Sequence, residues 1–299
     1  MAVLLLLAAL VAITPAGAAA ATGTGTVVGW GLNDNGRASP PAGLTGVIAI
    51  AAGWDHSLAL KSDGTVVGWG HNFDGQARPP AGLTGVTAIA AGKGNSLALK
   101  SNGSVVGWGR NDAGQASPPA GLTGVTAIAA GSFHSLALKR NGTVVGWGDN
   151  SHGQARPPAG LTGVTAIAAG WDHSLALKSD GTVVGWGDNA YKQASPPPRV
   201  TAVAAIGAGA YHSLAVKRDG TVVAWGWSKY GQTRPPAGLD GVTAVAGGHR
   251  HSLALKRDGT VVGWGNNAFG QASPPAGLTG VTAIAAGWYH SLALRGRTG

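Results

Sequence analysis

Seven tryptophans, at positions 30, 69, 108, 147, 186, 225 and 264, each lie 39 residues from the next. A period near 40, with a Trp-Gly element inside strand-like runs, points to a β-propeller with one blade per repeat. Stacking as a solenoid is the competing architecture, but the atypical capping repeats that a solenoid needs are not seen. Within each unit "TVVGWG" and "HSLALK" are β-rich and joined through Asp-Gly or Asn-Gly, so each pair reads as a hairpin with a tight turn. "GVTAIAAG" reads as a third strand, whose small residues suit the crowded central axis. The proline-bearing "GQASPPAGL" reads as a fourth, edge strand, since proline cannot donate to the ladder. The expected fold is all-β: a seven-bladed propeller with four strands per 39-residue repeat.

The phase of the repeat predicts how the chain ends meet. It starts at "TVVGWG" and stops at "HSLAL", which cuts one hairpin unit in the middle. Strands at Thr26–Gly31 and Arg37–Pro41 are expected to complete a blade begun by Val281–Leu294, removing open sheet edges. No cysteine is present to do this by disulfides. With 52 glycines, 16 prolines and 44% hydrophobic residues, the composition suits a turn-rich β protein with a real core.

Before the first repeat, Val3–Ile13 is a short apolar run followed by Pro15 and the small residues Ala18-Ala19-Ala20. That pattern reads as an export signal over residues 1–21, although "MAV" supplies no basic residue. Residues 22–299 are then one secreted, monomeric domain without a membrane span, extracellular and open to attachment at the cell envelope.

Eleven aromatic residues are not repeat tryptophans: Trp54, Phe73, Phe133, Trp171, Tyr191, Tyr211, Trp227, Tyr230, Phe269, Trp288 and Tyr289. Each follows a repeat tryptophan by two to five residues or falls in the two positions before the repeat histidine. The expected strand directions put all these positions on one "top" face. Core aromatics would recur in every blade, so these irregular ones read as a binding surface, together with Asp55, Asp172 and Arg250. Charge on that face is mixed, which suits a protein partner. The opposite face carries Lys61, Lys100, Lys139, Arg140, Lys178, Lys217, Arg218, Lys256 and Arg257 at hairpin tips. Without interleaved aromatics they read as solubilising turns, and no nucleic acid partner is expected.

Catalysis is not expected. Asp55-His56-Ser57 holds the three residue types of a hydrolase triad, but neighbours on a strand point to opposite faces. His56, His134, His173, His212, His251 and His290 recur with the repeat, and Asn95 replaces one of them. A residue that braces every blade recurs in this way; a catalytic or metal-binding group rarely does. The chain has no glutamate, its aspartates are scattered over separate blades, and no calcium or phosphate loop is visible. Neither a metal nor a cofactor is expected.

The unit "VVGWGxNxxGQxxxPxGLxGVxAIAAGxxHSLALKxDG" resembles the repeat of the regulator of chromosome condensation family, over residues 24–295. That resemblance implies a seven-bladed propeller. It also brings in small-GTPase exchange, for which these uniform blades offer no protruding wedge. The short repeats, and "WGDNAYKQ" at Trp186–Gln193 above all, look more like the secreted bacterial β-lactamase-inhibitory members. In those, aromatics of one face cover the active-site entrance of class A β-lactamases. The matching positions here are Trp54, Phe73, Trp171, Tyr191, Tyr211, Trp227, Tyr230, Phe269 and Trp288. The implied partner is a class A β-lactamase; the alternative is an unknown protein or glycan bound at the cell surface.

Overall fold

Three of the four expected strands form in every repeat. The computed structural model describes residues 25–296, so the export-signal reading of residues 1–21 lies outside the described residues. Twenty-one strands make seven three-stranded sheets. In blade 1 they are β2 (Val47–Ala52), β3 (His56–Lys61) and β4 (Val66–Gly70), in the order β2-β3-β4. Blades 2 to 6 repeat this order down to the strand ending at Gly265. Blade 7 is composite: β1 (Thr26–Gly31) pairs antiparallel with β21 (His290–Arg295), and β21 pairs with β20 (Val281–Ala286).

The fourth strand is corrected. Arg37–Pro41 and its equivalents form turns, not ladders. Paired prolines remove two donors, and the segment crosses over the outer strand instead of running beside it. At Gly29 an added Cβ would lie 2.1 Å from the Ala38 carbonyl, so the crossing segment packs directly on the glycine backbone there; blade 5 has Ala224 at the equivalent position. The hairpin turn also differs from a two-residue Asp-Gly turn. Gly64 N–H donates to the Lys61 carbonyl and Lys61 N–H to Thr65, with Gly64 at φ +77°, which is a three-residue loop closed by a glycine bulge.

Apolar packing runs between blades. Trp147 of blade 3 is buried with Leu97 and Leu99 of blade 2 and with Ile128 of its own blade. Equivalent clusters link each blade to the next, including blade 6 to blade 7 through Trp30 and Leu253, and blade 7 to blade 1 through Leu292 and Ile50. The small-residue strands line the axis, where alanines such as Ala51, Ala90, Ala246 and Ala285 surround a small pocket.

A polar joint accompanies each apolar one. Trp147 Nε1 and Ser135 Oγ both donate to the Gln115 carbonyl of the preceding blade, each at 2.9 Å. His134 Nε2 lies 2.9 Å from Ser174 Oγ of the following blade. Ser174 spends its own proton on the Gln154 carbonyl, which can only accept, so His134 must be the neutral tautomer with the proton on Nε2. The joint recurs at His56–Ser96, His173–Ser213, His212–Ser252, His251–Ser291 and, where the chain ends meet, His290–Ser57. The repeat histidines are therefore braces. Their serines are fully buried and donate to backbone carbonyls of the preceding blade. At the seventh joint Asn95 replaces histidine, and neither its Oδ1 nor its Nδ2 finds a partner.

Candidate functional site: an aromatic propeller face

Strand register places the two sets of variable loops on one face. His56 pairs with Gly70 at the same end of blade 1, and His71 N–H donates to the Asp55 carbonyl. The residues before each repeat histidine and after each repeat tryptophan thus share one rim in every blade.

The outer loops are held rigidly. In "DNAYKQ" the Tyr191 N–H donates to Gln193 Oε1 at 2.8 Å, Gln193 Nε2 donates to Asp188, and Asn189 Oδ1 accepts the Ala194 N–H. The glutamine plays the same part for Tyr230 and Phe269, whose N–H groups donate to Gln232 and Gln271 at 3.0 and 2.9 Å. At Lys192 the backbone adopts φ +65°, where the other repeats have glycine, so this loop holds a strained lysine beside the exposed Tyr191.

On blades 4 to 7 the rings join into an unbroken crescent. From the rim inward, Trp227 lies 5.5 Å from Tyr230, 6.0 Å from Tyr191 and 5.7 Å from Tyr211 between ring centroids. Tyr211 lies 5.0 Å from Trp171. Tyr289 lies 5.2 Å from Phe269 and stacks on Trp288. Arg250 stands over Trp227 and Tyr230 and donates to the Tyr230 hydroxyl at 3.0 Å. Such pairs add attraction beyond their buried area and fix each ring in place.

Burial differs among the aromatic residues of the face. Trp54, Trp171 and Trp288 are half-buried and converge over the axis, Trp54 edge-on to both others. The most exposed rings are Phe73 at 89%, Tyr191 at 48% and Phe269 at 47%. Phe73 stands away from the crescent; among the described residues its one aromatic-ring neighbour is His71, 6.4 Å off. Phe133 is capped by Lys93 and Arg110. Asp55 is tied to the buried Arg37 at 2.5 Å. Burial pushes the Asp55 carboxyl up, against the pull of Arg37, and burial also pushes Asp172 up.

Two members of the face carried no aromatic signal. His249 and Lys93 occupy the same phase as Trp54, Trp171 and Trp288, two residues before the repeat histidine or its equivalent, and that spacing could have identified them. His249 is buried against Trp288 and Tyr289 at 4.9 and 5.4 Å, and it accepts the Trp288 indole N–H. Burial, then the charge of Arg250, lowers its pKa to about 3. The Lys93 ammonium lies 4.0 Å from the Trp54 ring centroid and 4.7 Å from that of Phe133, and burial lowers its pKa as well. Among the described residues no cluster of metal-ligating side chains forms, and no helix is long and apolar enough to cross a membrane.

The model of the regulator of chromosome condensation (RCC1) repeat matches residues 47–76, 86–115, 125–154, 164–193, 203–232 and 242–271, together more than half of the chain. No curated protein matches it. Among solved structures, Prp20p from Saccharomyces cerevisiae, described with its binding to Gsp1p and histones, superposes with a TM-score of 0.79 at 19% identity over 93% of each chain. Human WBSCR16 gives 0.74 at 20% identity, over 91% of this chain and 100% of that one. The CRINKLY ectodomain of the Arabidopsis thaliana receptor kinase ACR4 gives 0.65 at 25% identity, over 80% and 90%. Those likenesses rest on the propeller fold. With its repeat matched six times in register, the chain belongs to the RCC1 repeat family.

Proposed function

We propose that this chain is an exported, non-catalytic propeller that covers the surface of another protein with its aromatic face, and that class A β-lactamases are the partner it fits. The observation that carries the reading is the crescent from Tyr191 to Tyr289, pre-organised on loops held by the repeat's own Asn and Gln side chains. Rigid rings lose little freedom on binding, so their contact area converts efficiently into affinity. Mixed charge around the crescent, with Asp188, Lys192, Lys229 and Arg250, matches a protein surface better than a polyanion. The resemblance of Trp186–Gln193 to β-lactamase-inhibitory members supports the choice of enzyme. Purified protein titrated into class A β-lactamases, with hydrolysis of a chromogenic substrate as readout, should abolish activity at submicromolar concentration, the range of a specific interface. Full activity at micromolar protein across several such enzymes refutes this choice of partner.

A further inference from the structure

Six of the seven blade joints share one polar brace, and the joint between blades 2 and 3 lacks it. There the fully buried Asn95 stands where the others have histidine, and among the described residues neither of its amide atoms finds a partner. Ser135, across the joint, donates to the Gln115 carbonyl, but among the described residues no side chain donates to it in turn. A second link is missing at the same place. Around the axis on the aromatic face, a backbone N–H in five of the blades donates to a carbonyl of the next blade, as Trp54 does to Gly92 at 3.1 Å and Trp171 to Ala210 at 3.2 Å. Among the described residues the Lys93 N–H makes no such bond across the joint between blades 2 and 3. The Trp288 N–H makes none either, but its joint keeps the His290–Ser57 brace and adds the Gly25 N–H on the Val47 carbonyl at 2.8 Å.

The apolar layer of this joint, Trp147 and Ala137 against Leu97 and Leu99, does not compensate, because equivalent layers fill the other joints. What the joint has of its own lies on the aromatic face, where Lys93 and Arg110 of blade 2 stand over the Phe133 ring of blade 3 at 4.7 and 5.2 Å. Contacts of this kind at a surface are weak. A buried amide that has left water without gaining a partner weakens its interface by more than one missing hydrogen bond. In a ring of near-identical joints the weakest one carries most of the opening, since about 1.4 kcal/mol already changes a population tenfold. We propose that the propeller opens locally between blades 2 and 3, and that this joint is a seam built into the ring. Opening there parts Phe133 from Lys93 and Arg110 and reshapes that side of the aromatic face, while the crescent on blades 4 to 7 stays whole.

The chain has no cysteine, so a single introduced thiol reports on a single joint. Ala137 is fully buried in the joint between blades 2 and 3, and Ala59, Ala98, Ala176 and Ala254 are buried at the same position in four others. Each is changed to cysteine in the full chain, and labelling by iodoacetamide is timed under native conditions. Global unfolding exposes all five thiols alike, so an excess rate at one of them measures opening of that joint. Ala137→Cys should label faster than the other four by about tenfold or more, and adding Asn95→His should bring it down to their rate. Equal rates at all five positions, a faster rate at another joint, or an Ala137→Cys rate that Asn95→His leaves unchanged overturns the assignment. The five-way comparison decides if the histidine variant does not fold, and the Asn95→His comparison decides if another alanine variant does not. No partner is present, so the outcome is separate from that of the β-lactamase titration.

Discussion

Acid should unfold this protein steeply, because its blade joints contain neutral histidines that cannot be protonated in place. His56, His134, His173, His212, His251 and His290 are fully buried; burial lowers the pKa of His134 to about 4 and that of His56, His173, His212 and His251 to about 3, and holds His290 well below 6.5. In the unfolded chain each titrates near 6.5. Below that pH the unfolded state binds protons that the folded state refuses, so stability falls as pH falls, until the folded-state values near 3 to 4 are reached. One proton per histidine corresponds to about 1.4 kcal/mol per pH unit, and six together to about 8 kcal/mol per unit once the unfolded histidines are fully charged, near pH 5.5. His249 acts in the same direction. Asp55 and Asp172, raised by burial, act against it as pH falls from their raised folded-state values to the ordinary carboxylate range, and add nothing further below it. A domain with a stability of about 5–15 kcal/mol would lose it within roughly two pH units. Denaturant melts from pH 8 to pH 4 should therefore show a plateau above pH 7 and a slope corresponding to on the order of six protons taken up at pH 5. A slope of less than about two protons would refute the joint as described.

Three further outcomes follow from the same geometry. Asn95→His should complete the seventh joint by donating to Ser135, since Gly92 already leaves the space that glycine leaves for the other histidines; an increase of about 1–2 kcal/mol in unfolding free energy is expected, and a decrease contradicts it. Lys192→Gly should relieve the left-handed strain and stabilise the fold by about 1 kcal/mol in denaturant melts, while an unchanged midpoint would show that the loop is unstrained. Removing residues 1–31 deletes β1 and leaves β21 without its outer partner; cooperative thermal unfolding should be lost, and a normal calorimetric transition would contradict the splice.

Much of the architecture was legible because the sequence repeats it. The tryptophan period gave seven blades, the small-residue run gave the axial strand, and the phase of the chain ends gave the pairing of Thr26–Gly31 with His290–Arg295. The fourth strand failed because proline content marks an edge without saying whether the backbone pairs or crosses, and the crossing at Gly29 is a tertiary contact with no local signature. The site was legible in its phases but not in its geometry. Trp54, Trp171 and Trp288 are 117 residues apart in sequence, yet blades 7 and 1 are neighbours and the axis brings all three rings together. Residue type hid His249: a search for aromatics and charges passes over a neutral histidine that occupies the same phase. Asp55 was assigned to the face without Arg37, whose position carries glutamine in the other six repeats.

The claim that the aromatic face is the binding surface is tested most directly by comparing two double variants against a bound class A β-lactamase. Tyr191→Ala with Trp227→Ala removes rings from the crescent; Lys100→Ala with Lys139→Ala removes charge from the opposite face at hairpins where asparagine stands in place of aspartate. Dissociation constants from calorimetry should rise at least thirtyfold for the first, about 2 kcal/mol, and stay within about twofold for the second. Binding that survives the aromatic pair and is lost with the lysine pair would place the partner on the wrong face of this account.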